Sequence, residues 1–157
     1  ALAGRVALTV TYQAERNAVG LLDDRVLLFA RSARLAPAAL DAIEALAATH
    51  RPLASAERPL GALALVVGAA GLSENSLLER QRVFLRELRA APHVWFAFCI
   101  VGDGVQAVAM RAVVRVLMLG SSGMRMFTDQ ASAARWLGER VGVDPAAITG
   151  ALDTLMP

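Results

Sequence analysis

Nucleophilic chemistry in this chain would have to start from Cys99, its one cysteine, with His50 or His93 as the base. Thiol and imidazole act together only within hydrogen-bond reach. Residues 93 and 99 share one strand-like stretch, HVWFAFCIVG, in which six residues span about 20 Å. They point to the same side and cannot touch. His50 falls at the end of a helical pattern, where an imidazole complements the carbonyl end of the dipole. Cys99 therefore reads as a small core hydrophobe. Two histidines and one cysteine without close spacing make no metal site. The sequence predicts no catalytic residue, no metal and no cofactor.

Anion-binding chemistry has two glycine-rich candidates. Gly102-Asp103-Gly104 joins a strand to a helix start, where free amides can receive a phosphate. It lacks the third glycine of a dinucleotide fingerprint, no GK[ST] step exists, and Asp103 places a negative charge where the anion would sit. A structural turn is the better reading, with Asp103 capping the helix and Gln106 as its capping-box partner. Gly120-Ser-Ser-Gly123 precedes a strand and reads as a flexible connection. Arg111 and Arg115, one turn apart, could grip an acidic partner or a lipid headgroup. The alternative is that both snorkel from a buried helix to water. Met110, Met118, Met124 and Met126 cluster nearby, suited to an adaptable surface or to filling an irregular core.

The elements that must position these groups follow from periodicity. Arg5 to Thr11 alternates as a half-buried strand, with Val6, Leu8 and Val10 on one face. Arg25 to Ala30 is a stronger strand after a turn at Asp23-Asp24, while Val19 to Leu22 is left open as a possible short strand. Pro37 suits the first turn of a helix to His50, striped by Leu40, Ile43, Leu46 and Ala47. Gly61 to Val67 is an uninterrupted apolar run, expected to be buried on both faces. Gly68 to Asn75 is a small-residue loop, and Ser76 with Glu79 has capping-box spacing for a helix ended by Pro92.

In strand 93–101, Trp95, Ala97, Cys99 and Val101 share one face and Val94, Phe96, Phe98 and Ile100 the other, which predicts a central strand. The next segment, VQAVAMRAVVRVLML, is apolar nearly all round. It should be a helix through Leu119, covered by the sheet and by something else. Met124 to Phe127 is a short strand, Thr128 or Asp129 caps a helix through Trp136, and Asp144-Pro145 starts the last one. The order β-β-α-β-α-β-α-β-α-α predicts one α/β domain over residues 1–157. Its mixed sheet should have about five strands, with an antiparallel first hairpin and later strands parallel.

Composition sets the outer limits. Hydrophobic residues are 56% and charged residues 19% of 157, which favours self-association, most simply a homodimer. All 16 basic residues are arginine, net charge is only +2, and aromatics are few, which argues against a nucleic-acid partner. The apolar runs are too short or too arginine-bearing for a membrane span. A lone cysteine and the lack of a signal-like start predict a cytoplasmic location.

The closing segment VRVLMLGSSGMRMFTDQASAARWLGE resembles the end of STAS/SpoIIAA-like domains, through Phe127, Thr128, Asp129, Ala133, Trp136 and Leu137. The resemblance implies a non-enzymatic regulatory or protein-interaction domain with a regulatory protein partner. Regulatory members of that family carry a phosphorylatable serine in a D-S-S/T-G step. The corresponding stretch, VVGAAGLSENSL, has Ser73 and Ser76 but neither the aspartate nor the glycine. That departure speaks against a kinase-controlled switch. The expected working surface is the 102–119 turn and helix with the 68–76 loop: Ser73, Ser76, Gly102, Asp103, Gly104, Arg111 and Arg115. The alternative is a carrier or sensor for a lipid or other apolar small molecule, as in related lipid-binding folds.

Overall fold

A computed structural model describes residues 7–67, 70–71 and 73–156. Six strands form one mixed sheet: β1 (Leu8–Ala14), β2 (Asn17–Leu22), β3 (Val26–Arg31), β4 (Leu60–Val67), β5 (Val94–Val101) and β6 (Met124–Phe127). They lie side by side in chain order, the first three antiparallel and the last four parallel. Five helices cover it: α1 (Pro37–His50), α2 (Asn75–Ala90), α3 (Val105–Leu117), α4 (Gln130–Val141) and α5 (Pro145–Leu155). The α/β class and the mixed sheet agree with the sequence expectation, with six strands where about five were expected.

The additional strand is β2, which settles the stretch around Val19 to Leu22. Two-residue turns with positive φ at both positions fold β1, β2 and β3 into a meander: Glu15-Arg16 (φ 55° and 57°) and Asp23-Asp24 (φ 53° and 52°). Aspartate signals such a turn; glutamate and arginine do not, so the first has no signature in the sequence. β1 is mostly exposed rather than half-buried, and a bulge between Val10 and Tyr12 breaks its alternation. Arg5 and Val6 of the expected strand lie outside the described residues.

Alternation in the inner strands sorts side chains between two faces. Leu28, Leu63, Leu65, Ala97 and Cys99 meet α4 and α5 on the back. Leu27, Phe29, Ala62, Ala64 and Phe96 meet α1 and α2 on the front, and Val66 and Ile100 meet α3 there. β5 is interior yet second from an edge. β4 flanks it throughout, while β6 reaches only Phe96 to Cys99. Asp129 and Asp144 cap α4 and α5 through the amides of Ser132 and Ala146.

Three expectations are corrected. Ser76 does not cap α2, because the helix already begins at Asn75, after Glu74, and no side chain caps it. Asp103 does not cap α3, because Gly104 stands at the capping position and has no side-chain acceptor. α3 is not enclosed either. Only Ala107, Met110 and Val114 are buried, while Val105 is 86% exposed and Val108 and Val116 face solvent, as does Leu119 beyond the helix, which ends at Leu117 and not at Leu119. A seam of three inward residues needs one covering surface, which the sheet and Ala70 supply among the described residues. Among the described residues no helix is long and apolar enough to cross a membrane.

Candidate functional site

The front face holds a trough made by residue size. Ala62 sits between Leu27 and Phe96, and Ala64 between Phe29 and Phe98, so two methyl groups form a floor between larger walls. α4 lies close on β4 and β5 at the back, whereas α2 stands away from the sheet and reaches it through side chains. Arg80 of α2 bonds Asp41 at 2.8 Å and Glu44 at 3.0 Å, drawing α2 toward α1. Between sheet, α2 and α3 remains a cavity of about 80 Å³. That is room for roughly three waters. Its walls are apolar, including Phe84, Met110, Val113 and Leu117, and half-exposed Phe84 and Phe98 mark the gap toward solvent.

Among the described residues, one charged side chain lines this cavity. Arg31 ends β3 with the same parity as Leu27 and Phe29, so the strand turns it inward, and it is 4% exposed. Its Nη1 donates to the Ala33 carbonyl at 3.0 Å and its Nη2 to the Gly71 carbonyl at 2.9 Å. Burial pulls its pKa down to about 10. Arg31 is signalled in the sequence only by parity, an arginine at the inward position of an otherwise apolar strand. Asn17, also buried, ties the β1–β2 turn to α1 by bonds to Glu15, Arg34 and Ala36 and keeps no free polar atom for a ligand.

The residues expected to form a site lie partly together. Ser73 lines the cavity with Met110, Val113 and Val114, so the 68–76 loop and α3 share it; Gly68, Ala69 and Leu72 of that loop lie outside the described residues. Ser76 is exposed in the first turn of α2. Gly102, Asp103 and Gly104 are exposed, and Gly102 takes φ 123°, a value that suits glycine alone. Arg115 is exposed, but Arg111 turns back, and its Nη2 donates to the carbonyls of Ile100 and Gly102. It anchors the end of β5 and does not form a pair with Arg115. Met110 and Met124 are buried, and Met118 and Met126 half-buried.

Cys99, His50 and His93 stay apart from one another and from the cavity. Cys99 is buried on the back face, His93 is exposed with φ 62°, and His50 ends α1 beside Asp24, Arg25 and Arg58. Among the described residues no three His, Cys, Asp or Glu side chains are grouped to hold a metal. Burial first, then the Asp129 charge, pushes the Cys99 thiol up to about 11, with Arg111 opposing. Unfolded Cys99 releases its proton near 9.0, folded Cys99 only near 11, so its stabilising share is complete below pH 9 and lost as pH rises to 11. Urea unfolding should show the native protein losing up to about 2–3 kcal/mol relative to Cys99→Ala over that window. A constant difference from pH 8 to 11 would mean the thiol is not held protonated.

Compared with protein-family models, curated proteins and solved structures, the chain matches none, so the functional reading rests on its own geometry.

Proposed function

We propose that the chain is a non-enzymatic carrier or sensor that holds an apolar small molecule between the sheet and helices α2 and α3. The carrying observation is the trough over Ala62 and Ala64, an apolar space with one end charged. Ligand sites of small domains have this make-up, mostly apolar walls with few polar groups fixing orientation.

A second reading, a STAS/SpoIIAA-like regulatory or protein-interaction domain working as a homodimer, is favoured by the uncovered Val105, Val108 and Val116 on α3 and Leu119 just beyond it. Native mass spectrometry of the freshly purified chain addresses both. A monomer with a reproducible extra mass, and methyl shifts at Met110, Val113 and Leu117 on adding 1-octanol, supports the carrier. A dimer with no extra mass and no such shifts supports the second reading and sinks the first.

A further inference from the structure

We propose that Arg31 is the anion-recognising group of this cavity and that its ligand is a singly charged carboxylate on a short aliphatic tail. The inference rests on the reading of the cavity as a ligand site. Both acceptors of Arg31 are neutral carbonyls, which aim the guanidinium without compensating its charge. Among the described residues no carboxylate pairs with it, and burial alone accounts for its lowered pKa. The remaining residues of the chain include no aspartate or glutamate side chain. A buried charge without a partner is costly. A guanidinium has five donors, of which two are occupied here by described residues, and a carboxylate oxygen pair matches its planar fork.

Charge balance selects the ligand class. One uncompensated positive charge in apolar walls suits one negative charge, whereas a phosphate monoester would leave excess charge in a dry site. Ser73 and Gln81 are the other polar side chains lining the cavity among the described residues and can complete the headgroup's hydrogen bonds. The cavity's about 80 Å³ is roughly half the space that encloses benzene, so it holds about three carbons of the tail, and the gap at Phe84 and Phe98 lets the rest reach solvent.

Isothermal titration calorimetry on the whole chain with octanoate, 1-octanol and octyl phosphate tests this. Octanoate should bind at least about tenfold tighter than octanol, and in Arg31→Met that preference should vanish while octanol binding persists. Should Arg31→Met fail to fold, the three ligands on the native chain still decide. The Arg31 Nε–H resonance should then shift with octanoate and not with octanol. Equal affinity for octanoate and octanol would overturn the role of Arg31, reducing it to a tie between two loops, and leave the apolar cavity reading standing. Tighter binding of octyl phosphate than octanoate would overturn the single-charge ligand class. No binding of any of the three would overturn both readings.

Discussion

Replacing Leu137 with alanine is expected to lower the unfolding free energy by about 3–5 kcal/mol and to leave ligand affinity unchanged. Leu137 is fully buried in α4, among the residues that cover the back of the sheet. It fits there because Gly61 in β4 has no side chain: a Cβ at Gly61 would lie 3.2 Å from Leu137 Cδ1 and 3.1 Å from Val141 Cγ1. The helix is clamped from its other side as well. A Cβ at Gly138 would come within 2.5 Å of the Val143 carbonyl, so the turn into α5 closes directly over α4.

Such a site collapses poorly around the three carbons removed, because the bare backbone of Gly61 lies beneath them and the turn into α5 holds α4 in place, so most of the cavity term is retained. A loss of about 3–5 kcal/mol is a fifth or more of the stability of an ordinary domain (about 5–15 kcal/mol). Urea unfolding measures it. A loss below about 1 kcal/mol would mean that α4 does not sit on Gly61.

The same contrast explains what the residues disclosed beforehand. β4 and β5 were legible because neither alternating face could meet water, and α4 and α5 because Asp129 and Asp144 are side-chain caps with a definite partner amide. β2 was not, since its first turn asks Glu15 and Arg16 for left-handed backbone that their types do not advertise. α3 shows the limit of composition. A segment apolar all round is read as enclosed, yet burial falls only on Ala107, Met110 and Val114, and nothing in a single chain's sequence says whether the other side has a partner.

The candidate site was legible only at its rim. Ser73 and the α3 helix stand out through a small-residue loop and an apolar run, whereas the floor and the charge carry no comparable signal. Two alanines in a strand look like ordinary filling until the register places them between Phe29, Phe96 and Phe98. Arg31 looked like a strand end until its parity is followed from Leu27. The two faces divide the work: close packing of α4 at the back secures the sheet, and small floor residues under a distant α2 leave space at the front.

That division makes an opposite result on the front face the sharpest one. Ala64→Leu should raise stability and abolish ligand binding together. Ala64 is buried at the centre of the trough floor, and three added carbons project into a cavity of about 80 Å³. At roughly 24 cal/mol per Å³, an unfilled space of that size costs about 2 kcal/mol, and filling such spaces commonly recovers about 0.5–2 kcal/mol. The walls that must accommodate the new side chain are partly side chains of α2 and α3, including half-exposed Phe84 and Leu117, which can shift outward. Overpacking is therefore the smaller term here, unlike at Gly61, where α4 could not yield. The urea midpoint should rise with an unchanged slope, and octanoate and octanol should both bind at least about a hundredfold more weakly, since the substituent occupies the tail's place. A variant that keeps native affinity would show that the ligand, if any, binds elsewhere. One that unfolds more readily would show the trough to be already filled by the motion of its walls.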